Sequence, residues 1–129
     1  MKIRCSSLGK VMTSPKTKGE VLSKTTKTYI QELVLEDKFG IKKDFSSRYT
    51  DKGIIQEDIA IDLASRVLIL PFIFKNTEYF ENDWIKGTPD LIFDDEVIDI
   101  KCSWDGTTFP FFGIELSSKD YYWQLLGYC

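Results

Sequence analysis

The stretch Trp84–Lys101, WIKGTPDLIFDDEVIDIK, decides how the rest of this chain is interpreted. It contains two short apolar runs separated by three acidic residues, a pattern that is typical of a β-hairpin. A two-residue loop at Asp94 and Asp95 would pair Leu91 with Ile98 across an antiparallel ladder. The stretch therefore predicts a tight hairpin with an acidic turn.

The same pairing places Asp90 opposite Asp99, and the alternation of side chains along a strand puts Lys101 on their side of the ladder. Like charges that face each other destabilise a sheet, whereas a divalent cation removes the conflict because Mg²⁺ takes oxygen ligands. An ordinary acidic hairpin with solvated carboxylates is the alternative interpretation. A three-residue loop would instead pair Asp90 with Ile100.

Composition bounds the class of protein. The 129 residues predict a single domain, 1–129, and 43% apolar with 14% aromatic content is enough for a packed core. Cys5, Cys102 and Cys129 are scattered without a C-x-x-C spacing, which favours free thiols and a cytoplasmic location. No run approaches the ~18 apolar residues of a membrane span, so no membrane partner is expected. The absence of histidine excludes His-based catalytic triads within this chain.

The charge is distributed unevenly along the chain. The net charge is −3, yet residues 1–50 hold 11 Lys/Arg against 5 Asp/Glu, and residues 51–129 hold 6 against 15. A basic half can contact phosphates while an acidic half holds cations. Chance segregation of solvated charge is the alternative.

Two helices are predicted before the hairpin. A short helical turn and a loop open the chain, and a capping box at Thr17–Glu20 then predicts a helix from about Lys18 to Phe39 that Gly40 stops. A second helix is expected to run from about Asp51 to about Leu70, where Pro71 ends it.

Glu57 lies in the middle of an apolar stripe on the second predicted helix. The stripe comprises Gly53, Ile54, Ala60, Ile61, Ala64 and Leu68. A buried charge costs several kcal/mol unless it is paired or coordinated, so Glu57 is expected to have a cation or a strong donor. The alternative places Glu57 at an exposed end of the stripe near the helix N-terminus.

Further elements are expected around the hairpin. Strands are predicted at Glu78–Glu81 and Trp84–Lys86, and Thr107–Glu115 is an aromatic-rich loop. A capping box at Ser117–Asp120 starts a last helix at about Ser118. One face of that helix carries Tyr121, Gln124 and Tyr128.

Four motifs in this order resemble the PD-(D/E)XK nuclease superfamily. They are Gly53–Glu57, Gly87–Asp90, Asp99–Lys101 and Gln124–Tyr128. The last is similar to the Q-x-x-x-Y helix of the RecB-like and phage recombination exonuclease branch, which includes the YqaJ-like viral recombinases. Asp-x-Lys alone is a weak signal, but four motifs in the right order and spacing are specific together.

The resemblance implies an α/β (α+β) fold with a restriction-endonuclease-like core, in which helices flank a central mixed β-sheet. It also implies a further core strand after the last helix. Since the sequence stops at Cys129 within that helix, without a C-cap, the domain is expected to be C-terminally incomplete.

The resemblance further implies a metal site. Glu57, Asp90 and Asp99, with the backbone carbonyl of Ile100, would hold Mg²⁺ or Mn²⁺. The metal would polarise the scissile phosphate and lower the pKa of a bound water. Lys101 would orient or activate that water and neutralise developing charge.

Residues outside the metal site carry weaker expectations. Gln124 and Tyr128 would position the phosphate or the adjacent base; the alternative packs Tyr128 into the core and uses Gln124 to cap a backbone group. The opening Arg4, Ser6 and Ser7 resemble the segment that this branch places near the DNA end, and a solvated N-terminus is their alternative.

The function implied is that of a metal-dependent DNA nuclease of phage or mobile-element origin, an exonuclease acting on linear duplex DNA or its ends. A single-strand annealing recombinase is the partner that this implies, and an oligomer is compatible with the sequence. A second hypothesis is an inactive, truncated nuclease-fold module that binds nucleic acid. A third, an unrelated Mg²⁺-binding domain that handles nucleotides, is disfavoured by the intact carboxylate and lysine set.

Overall fold

The structure is a computed structural model that describes residues 1–42, 48–69, 74–113, 115–116 and 118–129. It divides into two compact units. Unit 1 comprises Met1–Asp44, Tyr79–Gly87 and Leu116–Cys129; unit 2 comprises Phe45–Glu78 and Thr88–Glu115. The expectation of a single domain stays a prediction.

The elements follow one another in the order of helices and strands that the sequence predicts, with one strand added at the start. They are β1 (Ile3–Arg4), a 3₁₀ turn (Cys5–Ser7), α1 (Leu8–Val11), α2 (Lys24–Phe39), α3 (Arg48–Val67), β2 (Phe80–Glu81), β3 (Ile85–Gly87), β4 (Leu91–Phe93), β5 (Glu96–Ile98) and α4 (Lys119–Tyr128). The predicted α/β (α+β) class, with a mixed sheet and helices, is confirmed.

Unit 1 is built on a three-stranded mixed sheet in the order β1-β3-β2. β3 lies in the middle: it runs parallel to β1, with Ile3 opposite Ile85, and antiparallel to β2, with Phe80 opposite Gly87. β2 and β3 lie where strands were predicted. The very short β1 was not predicted, because two residues carry no readable alternation.

The start of α2 differs from the prediction. The helix begins at Lys24, and the Ser23 hydroxyl caps it by accepting a hydrogen bond from the Thr26 backbone N–H at 3.0 Å. The predicted capping box at Thr17 is wrong: the Glu20 N–H bonds the Thr17 carbonyl in a turn, and the Glu20 carboxylate pairs with Lys27 at 3.1 Å. Thr17 and Ser23 were both possible caps, and Ser23, whose hydroxyl is buried, caps the helix.

The other end of α2 is as predicted. Gly40 takes a left-handed conformation (φ 67°) and its N–H bonds the Glu36 carbonyl, so the helix ends after Phe39. Inside unit 1, Leu33 of α2 is buried. Gly87 is required for close packing, since a Cβ there would lie 2.7 Å from Cε1 of Tyr128.

Unit 2 contains α3 and the predicted hairpin. β4 and β5 pair with Leu91 opposite Ile98 and Phe93 opposite Glu96, so the two-residue loop is confirmed and the three-residue alternative is wrong. Asp94 turns the chain with a φ of 52°, a conformation that Asp tolerates. The expected end of α3 at Pro71 lies outside the described residues.

The predicted apolar stripe of α3 is confirmed in its central part. Ile61 is buried and Ala60 and Ala64 are half-buried, whereas Leu68 is exposed. The side chains of Gly53 and Ile54 lie outside the described part of the chain. A second row of apolar side chains is exposed on α3: Ile55, Ile59, Leu63 and Val67.

The last helix, α4, begins at the predicted place. Ser118 caps it by accepting a hydrogen bond from the Asp120 N–H at 3.1 Å, and the predicted cap residue Ser117 lies outside the described residues. Residues 107–113 form turns and no regular element, as expected of the aromatic loop. Across the described ranges, every helix is too short or too polar to cross a bilayer.

The choice of cap for α2 can be tested by stability. Ser23→Ala should destabilise the protein by about 0.5–2 kcal/mol, because it removes the N-cap acceptor and leaves the buried Thr26 hydroxyl short of a partner. Thr17→Ala, at the cap that the sequence predicted, should change the free energy of unfolding by only a few tenths of a kcal/mol. Urea unfolding of both variants measures the difference, and a larger effect at Thr17 would contradict the observed helix start.

Candidate functional site

The hairpin of unit 2 brings two predicted site carboxylates together at its open end. Asp90 lies one residue before β4, and its Oδ2 accepts a hydrogen bond from the Ile100 N–H at 2.6 Å. Asp99 lies one residue after β5, and its carboxylate makes a short ion pair with the Lys101 ammonium. The Asp99 side chain is only 5% exposed, whereas that of Lys101 is 39% exposed.

Glu57 of α3 is held by a lysine that the sequence did not single out. Its carboxylate pairs with the Lys75 ammonium at 3.1 Å, which confirms that Glu57 has a cationic partner. Glu57 lies in the middle of α3 and its side chain is 25% exposed, so the alternative at an exposed helix N-terminus is wrong. Lys75 also lies 3.8 Å from Asp58.

The segment that carries Lys75 is attached to the start of the hairpin. The Asn76 N–H donates to the Asp90 carbonyl at 2.7 Å, and Asn76 Nδ2 donates to the Pro89 carbonyl at 2.9 Å. These bonds fix Lys75 beside the carboxylates. Lys75 lies outside any helix or strand, so no periodic pattern indicates which way its side chain faces. Its position in sequence between α3 and the hairpin was the one available signal.

The carboxylates influence one another electrostatically. Burial raises the pKa of the Asp90 carboxyl above its usual range, and the charges of Asp99 and Glu57 add to the shift, while the Ile100 N–H and the Lys101 ammonium oppose it. The hydrogen bond with Glu57 likewise raises the pKa of Lys75, and the Asp90 charge contributes. Two of the predicted metal ligands, Glu57 and Asp99, therefore lie within electrostatic range of the third, Asp90.

The donor chemistry fits a hard divalent cation, because carboxylate and carbonyl oxygens are the ligands of Mg²⁺ and Mn²⁺. The pKa of Asp90 is raised mainly by burial and also by the charges of Asp99 and Glu57, and a bound cation would offset both effects. No three acidic, thiol or imidazole side chains of the described residues are close enough to enclose an ion, however. Lysine ammonium groups hold Glu57 and Asp99 in this structure.

The predicted residues of α4 lie in unit 1. Gln124 is buried, and its Nε2 donates to the Tyr128 hydroxyl at 3.0 Å. The two side chains are four residues apart, so they lie on one face of the helix as predicted. Their assignment to phosphate binding stays a prediction.

The N-terminal residues of unit 1 are also placed. The Arg4 guanidinium makes a bidentate contact with the Glu36 carboxylate of α2, at 3.0 and 3.2 Å. Ser6 is exposed and Ser7 is half-buried in the 3₁₀ turn. Their proposed role near a DNA end stays a prediction, and Arg4 would have to exchange Glu36 for a phosphate.

Solved structures show the same arrangement of helices and strands. A phage-related exonuclease from Haemophilus somnus 129PT superposes with a TM-score of 0.83 and 34% identity over 99% of this chain. The chain has the fold of a phage-type exonuclease. An alkaline exonuclease (LHK-Exo) from Laribacter hongkongensis shares that fold at 18% identity over 95% of the chain, with a TM-score of 0.63. The resemblance to phage-type exonucleases that the four motifs indicated is confirmed.

The chain spans about three fifths of those exonucleases, 61% of the first and 59% of the second. No protein-family profile and no curated protein matches it. The likeness therefore rests on the solved structures together with the motifs.

The electrostatic crowding predicts a pH-dependent effect of Asp90→Asn without divalent metal. Because the pKa of Asp90 is raised in the folded state, the parent gains stability as the pH falls through that folded pKa towards the lower unfolded value. The variant lacks this proton uptake. It should therefore be more stable than the parent at pH 7, by a margin that shrinks as the pH falls towards 4.

Urea unfolding of both proteins between pH 7 and pH 4, in a chelator, measures this margin. Carboxylates that do not interact with Asp90 titrate alike in both proteins and cancel in the difference. A margin that stays constant or grows at low pH would show that the pKa of Asp90 is not raised in the folded protein.

Proposed function

We propose that this chain is the metal-binding part of a DNA nuclease, an exonuclease of the phage type that hydrolyses phosphodiesters of linear duplex DNA. The observation that supports the proposal is that Glu57, Asp99 and Lys101 all act electrostatically on Asp90 in unit 2, on a fold shared with two exonucleases. The presence of a phage-related exonuclease among the neighbours supports a phage origin.

In the proposed mechanism, Glu57, Asp90 and Asp99 would hold Mg²⁺ or Mn²⁺, with the Ile100 carbonyl as a further donor. When bound, the metal would supply Lewis-acid activation of the phosphate and of a water. The Ile100 N–H already orients the Asp90 carboxylate and keeps one oxygen directed along the hairpin.

Lys101 has the second role. Its ammonium is tied to Asp99 and its side chain remains 39% exposed, so it can reach a water or a phosphate oxygen from one side of the carboxylate set. A positive charge at this place would stabilise negative charge that develops as the phosphodiester is attacked. Gln124 and Tyr128 would contact a phosphate or a base.

A second candidate function is a nucleic-acid-binding module without turnover. The observation that favours it is the state of the carboxylates: Lys75 and Lys101 already neutralise Glu57 and Asp99, and no three acidic side chains in the described ranges enclose an ion. A module of this kind would bind DNA through its basic residues and would not require a metal.

Digestion of linear duplex DNA distinguishes the two candidates. With Mg²⁺ or Mn²⁺, the parent should release nucleotides, and Lys101→Ala should lower turnover about 10²–10³-fold because one stabiliser of the transition state is lost. DNA affinity should barely change, since Lys101 is one of 17 Lys and Arg residues. Lys119→Ala, at an exposed position on α4, is the matched control and should keep full turnover.

A parent that binds duplex but hydrolyses neither DNA nor RNA with any divalent metal would overturn the nuclease proposal in favour of the binding module. Equal losses in Lys101→Ala and Lys119→Ala would remove Lys101 from the mechanism and leave the nuclease activity standing.

Lys75 and Lys101 pair with two of the proposed metal ligands, so we expect both lysines to compete with the metal for those carboxylates. Lys75→Gln should tighten Mn²⁺ binding up to about fivefold, because an exposed ion pair is worth about 0.2–1 kcal/mol and the Glu57 carboxylate no longer has to give up an ammonium. Isothermal titration calorimetry measures the affinity.

Asp99→Asn is the opposing variant, since it removes a ligand and should weaken Mn²⁺ binding. Metal should also raise the free energy of unfolding of the parent, by about 2.7 kcal/mol at a hundredfold excess over Kd, and raise it less in Asp99→Asn. Equal stabilisation of both proteins would place the ion elsewhere.

A further inference from the structure

Unit 1 contains a cleft that neither the carboxylates nor the Gln124–Tyr128 pair line. It has a volume of about 830 Å³ and lies between the segment 10–17 and the first half of α2. Three lysines from three parts of its lining face it: Lys10 of α1, Lys16 of the loop that follows, and Lys24 at the first position of α2. The stretch from 10 to 27 holds five lysines and a single glutamate.

Two lysines of the cleft have no acidic partner among the residues that the structure describes. Lys16 and Lys24 make no ion pair with any described residue. Glu20 lines the cleft but pairs with Lys27 at 3.1 Å. Glu32 is the other acidic residue of the lining.

Two of the lysines are placed where an anion would be favourable. Lys24 occupies the N-terminal position of α2, where the helix dipole disfavours a positive charge unless an anion offsets it. The Lys10 ammonium lies 5.2 Å from the centre of the Tyr29 ring, and this contact holds it at the cleft wall.

The base of the cleft is held by buried hydroxyl groups. Thr26 is 1% exposed, and its hydroxyl bonds the Lys10 carbonyl at 3.0 Å and the Ser23 hydroxyl at 2.9 Å. Thr13 joins them, with its hydroxyl 2.5 Å from that of Ser23. These bonds link the segment 10–13 to the start of α2, so the parts of the chain that carry Lys10 and Lys24 are held together.

Other hydroxyl groups of the lining are available as donors. Ser14, Thr17 and Thr25 line the cleft, and within the described residues their side chains make no hydrogen bond. Hydroxyl groups and ammonium groups together are the donors that contact phosphate oxygens in protein–DNA complexes. The cleft is also larger than one phosphate group requires.

We propose that this cleft binds the phosphate backbone of duplex DNA, as a contact separate from the carboxylate site. The proposal rests on the proposed function in that DNA is the substrate. In this proposal, part of the positive charge of the N-terminal half lies in the cleft, and Lys16 and Lys24 contact the DNA phosphates.

The salt dependence of DNA binding tests the proposal. Binding of a fluorescent duplex to the full chain is measured by anisotropy in chelator, where no hydrolysis occurs, at several salt concentrations. In the double variant Lys16→Gln/Lys24→Gln, the slope of log K against log salt should fall by roughly 2, because each phosphate contact contributes about 0.9. Lys10 is left in place because it packs on Tyr29.

The matched control is Lys38→Gln/Lys42→Gln, which removes the same charge from unit 1 at two lysines that do not line the cleft. Its slope should stay within experimental error of the parent. Equal reductions in both double variants, or no reduction in the cleft variant, would overturn the proposal. Thermal melting of both variants verifies that they are folded.

A competition arm distinguishes the sources of phosphate. Unlabelled duplex should displace the labelled duplex, and inorganic pyrophosphate at the same phosphate concentration should not; equal displacement would assign the cleft to small anions and overturn the backbone proposal. The assay also separates this inference from the nuclease function. If the cleft variant has the lower slope but the parent never hydrolyses DNA, the cleft proposal is supported and the nuclease proposal is contradicted. If the parent hydrolyses DNA but the cleft variant keeps the parent's slope, the nuclease proposal is supported and the cleft proposal is contradicted.

Discussion

The interaction on which the proposed site depends is that of Asp90 with two other carboxylates of unit 2, Glu57 and Asp99. Glu57 comes from α3, while Asp90 and Asp99 come from the two sides of the hairpin, so no single element carries the charge. Lys75 and Lys101 offset it, and the Ile100 N–H binds Asp90. Without a cation from solution, the unit neutralises itself with its own lysines.

The ion pairs with Lys75 and Lys101 neutralise the carboxylates of Glu57 and Asp99 in the folded chain. Buried or crowded carboxylates are costly when they are unpaired, and each lysine lowers that cost. The same ammonium groups compete with any metal for the oxygens. In the proposed metal site, the Lys75–Glu57 contact would have to give way to metal coordination, while Lys101, whose side chain is 39% exposed, could move towards substrate.

Unit 1 is held together by different forces. Buried and part-buried polar contacts connect its parts: the hydroxyl groups of Thr13, Ser23 and Thr26, and the Cys5 thiol on the Gly127 carbonyl at 3.3 Å. Such contacts are directional, so they fix the loop before α2 in one position. The cleft lysines Lys10, Lys16 and Lys24 are therefore held in defined positions by the segment and helix that carry them.

The sequence by itself determined the hairpin and the motifs, because the apolar runs and the acidic turn between them are local signals; it left two loop lengths open, and the β4–β5 pairing decided for two residues. It also located the C-terminal end of α2 and the start of α4, at Gly40 and near Ser118. Local rules were enough wherever only one local solution existed.

Tertiary structure decided what local rules left open. Ser23 rather than Thr17 caps α2, because burial with Thr26 and Thr13 adds bonds that the isolated segment lacks. Lys75 pairs with Glu57 because the neighbouring Asn76 attaches the segment of Lys75 to the hairpin. That attachment is a contact between residues distant in sequence. A sequence pattern records which side chains share an element, but the pairing of charges across elements depends on packing in three dimensions.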